Sequence, residues 1–110
     1  MAPLRFATTF VLLSAGAGQA QTEIVIDRSP EACAMETSDT QIGLTDSYVS
    51  FWESFCDITG QSTPAAGVRD LSLSCQAEGE TWARVLRIEE TASGYRVSGD
   101  GYSEDYIRCN

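Results

Sequence analysis

Residues 71–82 read LSLSCQAEGETW and residues 47–56 read SYVSFWESFC. In the first, Leu71, Leu73, Cys75 and Ala77 alternate with Ser72, Ser74 and Gln76, the period of a strand with one face in a core. Glu78-Gly79-Glu80 interrupts the alternation as a tight turn. Residues 81–89 then return as a second strand, with Trp82, Leu86 and Ile88 on one face and Arg84 intruding on it. In the second stretch two periods compete. Tyr48, Phe51, Trp52 and Phe55 fall at helical spacing, but aromatic and β-branched content without Ala, Leu or Lys favours a strand, which is the expectation here.

Outward from this centre, short runs of strand-forming residues recur between turn signals. Residues 23–27 (EIVID), 41–44, 95–98 and 102–109 have strand character, and 91–94 and 99–101 are turns. Ser29-Pro30 offers a capping hydroxyl and a proline at the first helical position, the opening of a brief helix. Residues 60–67 (GQSTPAAG) carry the densest turn chemistry in the chain and read as a loop. The fold expected is mainly β, a small antiparallel sandwich or barrel with at most one short N-terminal helix.

The chain has four cysteines, Cys33, Cys56, Cys75 and Cys109, and no histidine. No two cysteines form a CxxC pair, which removes the usual zinc spacing. An even number of cysteines suits two disulfides, for which three pairings are open. The arrangement expected is Cys56–Cys75, stapling neighbouring strands, with Cys33–Cys109 tying the ends of the domain. Neither a metal nor any other cofactor is expected.

Compartment is read from the N-terminus. Arg5 precedes an uncharged run over residues 6–17, and Gly18-Gln19-Ala20 places small residues where a signal peptidase cuts. Residues 1–20 are therefore expected to be a signal peptide, and 21–110 a single disulfide-bonded β-rich domain in the periplasm or outside the cell. The apolar run of about a dozen residues falls short of the roughly 20 that span a bilayer, so no membrane insertion is expected after cleavage.

Composition narrows the chemistry. The formal net charge is −9, with 16 acidic residues against seven basic ones, all arginine. Such a surface repels nucleic acid and anionic membranes and favours a cationic protein. Without lysine or histidine the usual general bases for a serine nucleophile are missing, as are Schiff-base and Cys–His chemistry. Only carboxylates and tyrosines remain for proton transfer, and a non-enzymatic binding module is the leading expectation. Glu78 and Glu80 beside Trp82 form a carboxylate pair next to an aromatic, the elements of a small hydrolase as the enzymatic alternative. Residues 98–105 (SGDGYSED) hold oxygen ligands on a glycine-rich turn, but not at the spacing of a calcium-binding helical hand.

Residues 92–96 (ASGYR) lead toward the last cysteine. With the leader, the acidic β-rich remainder and the disulfides, this segment resembles the small periplasmic or membrane-bound inhibitors of C-type lysozyme, β-barrels that insert a loop into a basic enzyme's cleft. The resemblance implies Ser93 and Tyr95 as partner contacts, alongside the Glu78 and Glu80 turn. In that family a lysine-glycine element follows the Ser-Gly loop, whereas Tyr95 follows it directly here. More broadly, Cys33 followed by FWESFCDIT, LSCQAEGETW and Tyr106-Ile107-Arg108-Cys109 resembles a group of short secreted cysteine-containing proteins of Gram-negative, alphaproteobacterial origin. That likeness bears on fold and location.

Overall fold

A computed structural model describes residues 22–110 of the chain. The expected signal peptide, residues 1–20, lies outside the described residues. The alternation at 71–77 is realised: Leu71, Leu73 and Cys75 are at most 2% exposed, while Ser72, Ser74 and Gln76 face solvent. This strand is the fifth of eight.

In chain order the elements are β1 (Ile24–Asp27), α1 (Pro30–Ala34), β2 (Ile42–Leu44), β3 (Tyr48–Ser50), β4 (Phe55–Ala65), β5 (Val68–Ala77), β6 (Glu80–Glu90), β7 (Gly94–Gly99) and β8 (Tyr102–Arg108). Each strand pairs antiparallel with the next, and β8 returns to β1, so the meander closes into a barrel. Every strand sends at least one side chain inward. The core runs from Ile26 through Leu44, Val49, Cys56, the β5 residues, Leu86, Ile88 and Val97 to Tyr106. The short helix forms as its signals require, with the Ser29 hydroxyl accepting from the Ala32 N–H and Pro30 in the first turn.

Both expected disulfides are present, Cys33–Cys109 and Cys56–Cys75. The second lies in the core across a register pair of β4 and β5. The first helps to close the barrel, where β1 and β8 share only the pairs Ile26↔Arg108 and Asp27↔Ile107. Around it, the Cys109 N–H donates to the Val25 carbonyl at 2.7 Å. The Asn110 amide accepts from the Val25 N–H at 3.0 Å and donates to the Glu23 carbonyl at 2.9 Å.

Asp27 ends β1 fully buried and joins it to the segment after α1. Burial alone would raise its carboxyl pKa, but hydrogen bonds from the Thr40 and Ser38 hydroxyls, the Arg28 N–H and the Gln41 side chain outweigh that and hold it below the usual carboxylate value. Its contribution to stability is present above the unfolded carboxylate pKa and is lost as pH falls through the lower folded value.

Two expectations are corrected. Residues 60–67 are not a loop: β4 continues as a strand to Ala65, and only the positive φ of Gly67 (75°) turns the chain. The turn-forming composition is overridden by β5, which offers a full ladder opposite. The offending residues sit at irregularities, since the register shifts between Ile58 and Gly60 and again between Ser62 and Ala65, across Pro64. Residues 47–56 form neither one strand nor a helix. Strand β3 ends at Ser50, the Phe51 N–H donates to the Ser54 carbonyl at 2.9 Å, and β4 begins at Phe55.

Two glycines separate steric from conformational demand. A Cβ on Gly94 would lie 2.2 Å from the Tyr106 carbonyl oxygen, because β7 and β8 approach closely there, whereas Gly79 has φ +84° and open space around it. Gly94→Ala is expected to cost about 3 kcal/mol by forcing the backbones apart. Gly79→Ala should cost about 1 kcal/mol through the left-handed backbone alone. Urea unfolding of the two variants measures both, and equal losses would contradict the close approach.

Candidate functional site

In an antiparallel meander, successive turns alternate between the two ends of the barrel. The β3–β4, β5–β6 and β7–β8 turns therefore share one end, and the β2–β3, β4–β5 and β6–β7 turns share the other. This parity separates the residues singled out in the sequence. Glu78 and Glu80 stand at the start of β6, and Ser93 and Tyr95 lie beyond its far end. Strand β6 has 11 residues, so the two pairs are roughly 30 Å apart at about 3.3 Å per residue.

At the Glu78 end, Ala77↔Glu80 is the last β5–β6 register pair, leaving a two-residue turn. Glu78 and Gly79 both take positive φ, 49° and 84°, the left-handed pair that matches the twist of a hairpin. The turn holds the Glu78 side chain at the tip. Beside it the β3–β4 turn brings Glu53 and Ser54, and the two hairpins with Trp82 line an open depression of about 340 Å³. The Cys56–Cys75 disulfide fixes these hairpins to one another, and Cys75 is the register partner of Trp82.

The tryptophans are not core residues: Trp52 is 50% exposed and Trp82 38%. Trp52 occupies the β3–β4 turn. Trp82 does share the inward face of β6 with Leu86 and Ile88, as expected, but so close to the mouth that its ring stays in contact with water. The next inward residue, Arg84, plugs that mouth. Its guanidinium lies 4.5 Å from the Phe51 ring centroid and donates to the Tyr102 hydroxyl at 2.8 Å.

Charge at this rim is left uncompensated. Among the described residues the ion pairs are Arg28–Glu104, Arg87–Asp70 and Arg96–Asp105, so none involves Glu53, Glu78 or Glu80. The rim thus sets three exposed carboxylates and the Trp82 indole on one depression, while Trp52 lines a second one with Glu23, Glu36 and Phe51 among others, and both indoles offer a π-face to a cation. Sequence reasoning missed Glu53 and Trp52. Reading 51–54 (FWES) as a hairpin turn would have placed them there.

The opposite end is built differently. The Thr91 N–H donates to the Gly94 carbonyl at 2.9 Å and the Gly94 N–H to the Thr91 hydroxyl at 3.1 Å, so the β6–β7 connection is a tight turn rather than a projecting loop. Ser93 is exposed on it. Tyr95 turns inward, half-buried against the core, and lines a depression of about 240 Å³ with Ile24, Leu44 and Ile88 among others. In the 98–105 segment Asp100 and Gly101 form the β7–β8 turn, while Glu104 and Asp105 are engaged by Arg28 and Arg96. Among the described residues no group of three or more His, Cys, Asp or Glu side chains is placed to hold a metal ion.

No helix among the described residues is long and apolar enough to cross a membrane. No family model, curated protein or solved structure matches the chain.

Because both indoles meet solvent, acrylamide is expected to quench Trp52 and Trp82 efficiently in the native state. Trp52→Phe and Trp82→Phe should each change stability by less than about 1 kcal/mol, well below the cost of truncating a buried aromatic. A blue-shifted, poorly quenched tryptophan emission would contradict this placement.

Proposed function

We propose that the protein is a binding module rather than an enzyme, acting in an oxidising periplasmic or extracellular compartment, and that it docks a cationic protein on the rim formed by Glu53, Glu78, Glu80, Trp52 and Trp82. The observation that carries this reading is the rim itself: exposed carboxylates without an arginine partner, set beside exposed indoles. Aromatic side chains are the usual anchors of an interface, and a basic side chain can take a ring face and a carboxylate together. Net acidity steers a basic protein toward the barrel and repels nucleic acid.

Exposure of the same carboxylates speaks against the hydrolase alternative. Glu78 and Glu80 flank a turn beside an open depression, without the enclosure that would keep water from a reacting bond. The two disulfides fit the compartment, since such bonds persist where thiols are not kept reduced. The likeness to lysozyme inhibitors supplies a first basic enzyme to try. Contact would come from the Glu78 end, because Tyr95 faces inward at the other.

Calorimetric titration against a panel of basic proteins that includes a C-type lysozyme tests the proposal. Binding is expected at low salt, with marked weakening at high salt because exposed charges are screened. Combining Glu53→Gln, Glu78→Gln and Glu80→Gln should weaken it about tenfold, at roughly 0.2–1 kcal/mol per exposed charge. Binding that ignores both salt and the triple substitution would contradict the rim as the docking site.

A further inference from the structure

Strand β6 is paired unequally on its two sides. Its ladder with β5 runs without a break from Val68↔Glu89 to Ala77↔Glu80. On the other side its register with β7 begins only at Arg87↔Ser98. The β7–β8 turn stops the neighbour short, with Gly99 so close to the Val85 carbonyl that a Cβ there would lie 2.7 Å from it. Among the described residues, positions 80–85 have no ladder partner on this side. Alternate backbone N–H and C=O groups therefore face outward along the edge of an exposed strand.

Such an edge is a template for another chain, and proteins commonly blunt it. The free stretch of β4, 59–65, is blunted, and on β8, which meets β1 only at 107–108, Glu104 is held by Arg28. Pro64 has no N–H to offer, and the side chain of Gln61 is engaged by Arg69 through bonds of 3.2 and 2.7 Å. The β6 edge contains no proline. Its outward side chains are Thr81, Ala83 and Val85, small or apolar, with Val85 57% exposed. A depression of about 570 Å³ lies at the Val85 end, lined by Ser72, Val85 and Gly99 among others. Glu78, Glu80 and Trp82 stand at the other end.

We infer that residues 80–85 receive an extended basic segment of the partner as an added β-strand. The inference rests on the cationic partner proposed above for the same rim and states how that partner is held. Backbone hydrogen bonds to β6 supply affinity. Alternating side chains supply selectivity, apolar ones against Ala83, Val85 and the adjoining depression, and a basic one toward Glu80 and the Trp82 ring, short of Arg84, whose guanidinium is turned to Phe51 and Tyr102. Charge decides against a second copy of this chain in the same place. Two copies of a chain with more than twice as many acidic as basic residues repel, whereas a basic segment is attracted.

The test uses the oxidised protein and two probes: a ten-residue peptide alternating lysine and valine, and the same peptide methylated at every backbone nitrogen. The second keeps charge and side chains but cannot donate to a strand edge. The expected result is binding of the first, at least about tenfold weaker binding of the second, and slowed amide exchange within residues 81–85 on addition of the first. Equal, salt-sensitive binding of both peptides, lost in the triple glutamine variant and without change at 81–85, would overturn strand addition and leave the acidic rim standing. Binding of neither would overturn both.

Discussion

The structure depends on joining its first strand to its last. An eight-stranded meander has two open edges until it closes, and here the closing strand is short. Strand β1 has four residues and shares two register pairs with β8. The Cys33–Cys109 bond, across 76 residues of sequence, removes about 4.5 kcal/mol of closure entropy in the chain-entropy model. The Asn110 side chain and the Cys109 N–H then add hydrogen bonds to the backbone of residues 23–25. A small domain with a modest core gains from such a staple, since burial alone leaves it marginal.

Closure at one seam constrains the rest of the wall. Strands β4, β5 and β6 are much longer than β1, β2 and β3, so a closed barrel cannot pair them along their whole length. Their surplus appears as two free stretches, one on β4 toward one end and one on β6 toward the other. The Cys56–Cys75 bond holds one end of this long ribbon, where the β3–β4 and β5–β6 turns meet. The same bond that stabilises the core therefore sets the spacing of the rim carboxylates. Fold and candidate site share one scaffold, with the rim on turns and the binding edge on a strand.

What the sequence disclosed follows from the range of the signal. The alternation at 71–77, the Ser29-Pro30 cap and both disulfide pairings were legible, because the first two depend on local spacing and the pairings on where the cysteines fall among neighbouring strands and at the ends of the domain. Residues 60–67 were not. Gly60, Pro64 and Gly67 are turn formers, and only pairing with β5 shows that two of them sit at register shifts inside a strand. Exposure of Trp52 and Trp82 was equally hidden, since an aromatic at a barrel mouth has the same neighbours in sequence as one in the core. The separation of Ser93 and Tyr95 from Glu78 and Glu80 could have been found. Turns at either end of one strand lie at opposite ends of a meander, and β6 stands between the two.

The central claim is a barrel closed at β1–β8 whose β6 edge stays open. Residue-resolved amide exchange of the free, oxidised protein tests it most directly. Each amide from 71 to 75 should be protected, because β5 has a neighbour on both sides, whereas protection across 80–85 should alternate, with every second amide exchanging freely. The Val25 and Cys109 amides should be protected at the seam. Uniform protection along 80–85, or free exchange at Val25 and Cys109, would contradict the account.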